Sequence, residues 1–152
     1  MSARASSSVL GVVLLTAVAV LAAATVGATV SMATPEQPPR AAFDLRVDPA
    51  ADRIAVVHRG GDRLRVDRIR VRVWIDDQPL AHQPPVPFFA AEGFEAGPTG
   101  PFNSAADGRW TAGERATVTL ASTNTPSLHA GASVRVSVYR GEYRVAELRA
   151  TA

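Results

Sequence analysis

Residues 133–149 read SVRVSVYRGEYRVAELR, and this stretch decides the fold. Val134, Val136 and Val138 alternate with Arg135 and Ser137, a period of two that gives a strand one apolar and one polar face. Gly141-Glu142 interrupts the alternation with a residue free to take positive φ, and a second strand follows from Tyr143 to Arg149. Two such runs joined by two residues form a β-hairpin.

The same period recurs upstream. Ile69, Val71, Val73 and Ile75 alternate with Arg70, Arg72 and Trp74, and Asp76-Asp77-Gln78-Pro79 closes that strand. Leu64 and Val66 hold the opposite phase, so a bulge or break is expected at Asp67 and Arg68. The stems of Arg68, Arg70 and Arg72 are expected to cover apolar surface around Trp74. Phe43, Leu45 and Val47 predict a first strand, Pro49–Asp52 a turn, Ile54–His58 a second strand, and Gly60-Gly61-Asp62 another turn. Ala116–Ala121 predicts a further strand. The stretches TAGERATVTL (111–120) and HAGASVRVSV (129–138) share an Ala-Gly followed by alternating apolar residues, which suggests a repeated turn and strand.

Between Leu80 and Gly108 periodicity disappears. This span holds Pro84, Pro85, Pro87, Pro98 and Pro101 with Phe88, Phe89, Phe94 and Phe102, and reads as a long loop with apolar hooks. Two roles stay open for it: a variable surface or subunit contact, or a segment pinned by its phenylalanines onto its own core. Six or seven short strands with no amphipathic helix predict a mainly β fold, an immunoglobulin-like antiparallel β-sandwich over residues 41–152.

Ahead of this domain, no charged residue occurs from Ala5 to Pro35, and Arg4 is the only charge before that run. About 20 apolar helical residues cross a hydrocarbon core of roughly 30 Å, so residues 9–33 predict a transmembrane helix. Removable leaders carry apolar regions of only ~7 to 15 residues. Ser31-Met32-Ala33 nevertheless has the small-x-small form of a cleavage site before Thr34, which leaves secretion without an anchor as an alternative. Arg4 on the short N-terminal side keeps that end cytoplasmic and sends the rest outward. The Pro-rich spacer of residues 34–40 ends the helix and predicts a semi-extended stalk. Within the helix Ala19, Ala23, Gly27 and Ser31 recur every four residues, a ladder of small side chains that permits close helix approach in lipid.

The 152-residue chain has 16 Lys plus Arg, all of them arginine, and 14 Asp plus Glu, a net charge of +2. Residues 34–152 carry 15 arginines and the same 14 acids, a net charge of +1. Seven arginines fall between Arg53 and Arg72, but Asp52, Asp62 and Asp67 interleave with them. A solvated sheet face is expected there, with no nucleic-acid partner. With no cysteine, disulfides, thiolate metal sites and cysteine nucleophiles are excluded.

His58, His82 and His129 lie far apart, lack metal-ligand spacing and read as surface histidines. Asp76 and Asp77 point to opposite faces if they lie in a strand, which favours a turn over a cation site. No phosphate-binding glycine loop, dinucleotide fingerprint or nucleophile elbow occurs. Neither Asn103 nor Asn124 begins an Asn-x-Ser/Thr sequon. No cofactor, metal or catalytic residue is therefore expected, and the protein is not expected to be an enzyme.

The segment Arg4-Ala5-Ser6-Ser7-Ser8-Val9-Leu10-Gly11-Val12-Val13-Leu14-Leu15, continued by Ala and Val through Gly27, resembles the N-terminal segment of archaeal type IV pilins, especially haloarchaeal ones. Ile54–Leu64, with the turn at His58–Asp62, is similar to the β-rich domains that follow this segment in that family. Bacterial type IV pilins carry a glutamate near the mature terminus, whereas Ser6–Pro35 has none. The resemblance implies a leader of residues 1–5, cleavage by a prepilin peptidase between Ala5 and Ser6, and a retained helix over 6–33. It further implies insertion in the cytoplasmic membrane, self-assembly with other pilin subunits through the pilus assembly machinery, and a cell-surface filament serving adhesion. A single-span membrane-anchored extracellular binding module is the alternative, with an anchored enzyme third.

Overall fold

The computed structural model describes residues 3–30 and 37–152, with side chains over 9–22 and 37–152. The chain divides into two compact units, Met1–Gln37 and Pro38–Ala152.

In the first unit, helix α1 runs over Ala3–Val30, 28 residues. It begins inside the expected leader, so Ala3–Ala5 are helical as well. Thr16 satisfies its hydroxyl within the helix, donating to the Val12 carbonyl at 2.7 Å, so it presents no unpaired polar group to apolar surroundings. Among the described residues no helix is long and apolar enough to cross a membrane.

The second unit is mainly β and antiparallel. Its strands are β1 (Ala41–Asp48), β2 (Arg53–Gly61), β3 (Leu64–Arg65), β4 (Ile69–Ile75), β5 (Gln78–Pro79), β6 (Arg109–Trp110), β7 (Arg115–Thr119), β8 (Ser133–Arg140) and β9 (Tyr143–Thr151). They form sheets of order β1-β2-β7 and β5-β4-β8-β9 and a small β3-β6 ladder. One apolar core draws on all three, from Phe43, Ile54 and Val56 through Val71, Val73 and Val136 to Leu64 and Trp110.

The period-two reading of β4 and β8 holds residue by residue. Ile69, Val71, Val73 and Ile75 are buried while Arg70 and Arg72 are exposed, and Val134, Val136 and Val138 are fully buried. Alternation fixes the register, because a one-residue slip would turn every valine to water. The phase change at Asp67 and Arg68 is a 3-10 turn over Val66–Arg68. Gly141, at φ 58°, takes the first of two loop positions between Arg140 and Tyr143, the place where a two-residue hairpin needs positive φ. The expected repeat is also present as structure. Glu114 N–H donates to the Thr111 carbonyl and Ala132 N–H to the His129 carbonyl, closing two four-residue turns that lead into β7 and β8. Gly113 and Gly131 hold the same left-handed third position in each.

One expectation is corrected and one is extended. Gly60 and Gly61 are not a turn but the end of β2, paired with Ala42 and Ala41 across a bulge that leaves Arg59 unpaired. The turn starts at Asp62, whose carboxylate accepts the Arg40 N–H at 2.9 Å. Gly61 sits at φ 96° with its missing side chain directed at the Arg40 backbone, so sterics, not turn formation, require glycine there. Trp74 is covered by Arg135, its cross-strand partner on β8, whose guanidinium lies 4.3 Å from the ring centroid. Arg135 is not among the arginines expected there, because a residue directly opposite on the next strand is not marked by spacing in the sequence.

The long Leu80–Gly108 segment is pinned to its own domain. Phe88, Phe94 and Phe102 are buried and only Phe89, 61% exposed, faces out. The segment also covers the free edge of β7, with Thr99 and Thr117 exchanging backbone hydrogen bonds and Glu95 N–H donating to the Thr119 carbonyl. An edge that would otherwise recruit a foreign strand is thereby closed.

Trp110 is fully buried with its ring 4.8 Å from Phe43 and 5.0 Å from Phe102. Replacing it with alanine is expected to cost about 3 to 5 kcal/mol, seen as a lowered midpoint with an unchanged slope in urea unfolding.

Candidate functional site

Val9, Leu10, Val12, Val13, Leu14, Leu15, Val18, Val20 and Leu21 of α1 are all between 60% and 75% exposed. Val12–Leu15 are consecutive, so at 100° per residue the apolar surface circles the helix instead of forming a stripe. A helix apolar on every side is stable only where it is surrounded by lipid or by other apolar helices. Of the ladder, Ala19 is exposed and Ala23 and Gly27 are helical. Residues four apart on a helix are neighbours along one side, and the helical backbone keeps that spacing for these three positions. Ser31 lies outside the described residues, and the side chains of Ala5 and Ser6 do too.

The β domain sends its polar groups elsewhere. His58 is not a surface residue as expected: it is fully buried, with its ring 4.9 Å from Phe43 and 6.1 Å from Trp110. Its Nε2 lies 3.0 Å from the Asp62 carbonyl, which assigns the ring proton to that nitrogen and leaves Nδ1 without a partner. The alternation of β2 put His58 on the apolar face with Ile54 and Val56, a signal present in the sequence. His129 stays near Asp76, at 3.4 Å, and His82 near Glu92, at 3.6 Å. Among the described residues, no three histidine or acidic side chains converge as metal ligands.

Asp76 and Asp77 adopt left-handed φ values of 51° and 61° in the two-residue loop between β4 and β5. Asp76 accepts the Ser133 N–H at 2.9 Å, tying that loop to the start of β8. Both residues lie in the turn, as expected; the Asp77 carboxylate is exposed, 3.7 Å from Arg135.

Asn124, almost fully buried, was missed as a structural residue. Its side-chain amide donates to the His82 and Gly93 carbonyls at 3.0 and 3.1 Å, and its carbonyl accepts the His82 N–H at 3.1 Å. It joins two stretches of the aperiodic region to each other, and no local pattern signals a partner 42 residues away. Gln83 does similar work on β4: its side-chain amide both accepts from Val73 N–H at 2.7 Å and donates to the Val73 carbonyl at 3.0 Å, in place of a neighbouring strand.

Some of the charges on the outer faces are paired. Arg59, the bulged residue, meets Asp44 at 2.7 Å, and Arg65 meets Asp67 at 2.7 Å. On β9, Glu147 receives Arg144 at 2.7 Å and Arg149 at 3.0 Å. The Arg149 hydrogen bond, reinforced by the charges of Arg144, Arg149 and Arg135, holds the Glu147 carboxyl below the usual carboxylate range. Exposed pairs of this kind are screened by water and contribute little each. An open groove of about 610 Å³ is lined by Arg63, Arg65, Asp67, Ala106, Asp107, Gly108 and Arg109.

No protein-family model matches the chain, and no curated protein matches it. Function therefore rests on the helix and on the surface of the β domain.

A depressed folded-state pKa stabilises the fold above the unfolded carboxylate value and is lost as pH falls through the folded one. Glu147→Gln is accordingly expected to lower the thermal midpoint slightly at pH 7. The gap to the native protein should begin to shrink below about pH 4, as the unfolded carboxyl protonates, and close at lower pH, as the folded carboxyl protonates too. Asn124→Ala, which strands the buried Gly93 carbonyl and two part-buried His82 backbone groups, is expected to cost about 2 to 4 kcal/mol in denaturant unfolding at any pH between 5 and 8.

Proposed function

We propose that this chain is a pilin or pilin-like subunit. In this reading it is inserted in the cytoplasmic membrane by α1, clipped between Ala5 and Ser6, and assembled through the helix into a surface filament coated by its β domain. No chemistry at a catalytic centre is required of it.

The observation that carries this reading is the contrast between the two units. The β domain has a complete core of its own, while the described valines and leucines of α1 stand exposed all round. Burying one such side chain is worth about 1.5 to 3 kcal/mol, so covering the nine amounts to something on the order of 10 to 25 kcal/mol before ordering costs. That is enough to drive insertion, while packing against copies then relies on close van der Waals contact between helices. The uncharged run from Ala5 to Pro35 supports a membrane stage for the subunit. The four-residue spacing of Ala19, Ala23 and Gly27 supports close helix packing.

An immunoglobulin-like sandwich belongs to the same proposal. The strand order β1-β2-β7 beside β5-β4-β8-β9 supports it. When the two-residue β3, β5 and β6 are set aside, the first, second and fourth main strands share one sheet, and the third, fifth and sixth share the other. Such two-sheet antiparallel arrangements are common in cell-surface domains.

Adhesion is the proposed use, with the β domain facing outward. Protein isolated from its native host is expected to begin at Ser6 and to pellet with sheared filaments. Gly27→Leu is expected to cut the sheared yield at least 10-fold, with the subunit retained in the membrane fraction. A chain that keeps Met1 and never enters the sheared fraction would identify α1 as a tether for a binding module, and a start at Thr34 would identify a secreted protein.

A further inference from the structure

The β3-β6 ladder places two like charges face to face. Leu64 pairs with Trp110 and Arg65 with Arg109. Leu64 and Trp110 must point into the core, where both are buried, so alternation turns Arg65 and Arg109 outward on the same side. Like charges directly opposite on a ladder are destabilising. Only Arg65 is relieved, by a two-point bond to Asp67 at 3.0 and 2.7 Å. Asp107 uses one carboxylate oxygen to accept the Arg109 backbone N–H at 3.0 Å, not to pair with the guanidinium. Arg63 lines the same groove. Among the described residues, the Arg63 and Arg109 guanidiniums form no ion pair; Arg46, Arg53, Arg72 and Arg115 form none either, and what sets Arg109 apart is that it faces a second arginine across a ladder.

We infer that this groove binds an anionic polysaccharide, with Arg63 and Arg109 gripping its sulfate or carboxylate groups and Arg65 contributing at the rim. Guanidinium presents paired N–H groups that match planar or tetrahedral oxyanions. The volume of about 610 Å³ accommodates a sugar unit or two. Asp67 and Asp107, which share the groove, oppose the close charge spacing of a nucleic acid, one phosphate per ~1.7 Å of duplex. They suit a polymer whose charges are spaced by neutral hydroxyl-bearing rings, since their free lone pairs accept from hydroxyl groups. No aromatic side chain lines the groove, so bases have nothing to stack on. The choice of a surface polymer rests on the outward-facing domain proposed above, while the oxyanion chemistry rests on the groove alone.

The test is binding of the full chain in detergent to immobilised dextran sulfate, carboxymethyl dextran, unsubstituted dextran and single-stranded DNA, across a salt series. The native chain is expected to bind both charged dextrans and not the neutral one. Arg63→Ser with Arg109→Ser is expected to lose at least 10-fold in affinity and to lower the salt slope by about two. Arg46→Ser with Arg53→Ser, which removes the same charge elsewhere, is expected to change affinity less than 2-fold. Arg109→Ser alone should leave the thermal midpoint unchanged or raised, because it relieves the ladder repulsion, so lost binding is not lost folding. Equal losses in the two double variants, or equal binding to neutral dextran, would overturn the groove. Tighter binding to DNA than to dextran sulfate would overturn the polysaccharide assignment. None of these readouts involves filament assembly, so a failed shearing assay and a failed groove are separate results.

Discussion

Trp110 is the residue on which the β domain turns. It belongs to a two-residue strand, yet its ring meets Phe43 from β1, His58 from β2 and Phe102 from the aperiodic segment. Its indole N–H donates to the Glu114 carbonyl at 3.2 Å, the same carbonyl that accepts the His58 N–H at 2.9 Å. One side chain thus joins the β1-β2-β7 sheet, the β3-β6 ladder and the long loop. Without a disulfide to hold these pieces, a large aromatic with one satisfied polar atom is an economical way to fix them. The aperiodic segment is ordered by this cluster because phenylalanines with no regular partner can still be buried against it.

The same packing determines which charges the surface offers. A chain that uses arginine and no lysine has sixteen flat, rigid donors to place. Where they have partners, some find them across the sheet and some on their own strand. Arg135 lies over Trp74, Arg59 meets Asp44 where β2 bulges, and Arg149 and Arg144 converge on Glu147. Arg109 is turned outward opposite Arg65 because the other residues of their two strands, Trp110 and Leu64, are buried in the core, and Arg63 precedes that ladder. A binding surface made this way arises from the fold's own constraint on alternation.

The helix and the domain solve opposite problems. The domain hides its apolar side chains and closes the β7 edge with its own loop, which leaves its surface wet and charged. Helix α1 does the reverse, exposing valine and leucine on every side. A molecule divided in this manner has one part suited to apolar surroundings and one suited to water, and the proposed filament gives each its place.

Sequence alone determined the strands with strict alternation, the two turns at Ala112-Gly113 and Ala130-Gly131, the break at Asp67-Arg68 and the uncharged apolar helix. These depend on local period and on backbone freedom, which a few adjacent residues express in full. Tertiary structure decided what Phe88, Phe94 and Phe102 do, why Gly61 is glycine, that His58 lies buried beside Trp110, that Asn124 and Gln83 stand in for missing backbone partners, and that Arg109 faces Arg65. Each of those depends on a neighbour distant in the chain, and hydrogen bonds, ring contacts and charge pairs act over a few ångströms of space whatever the separation in sequence.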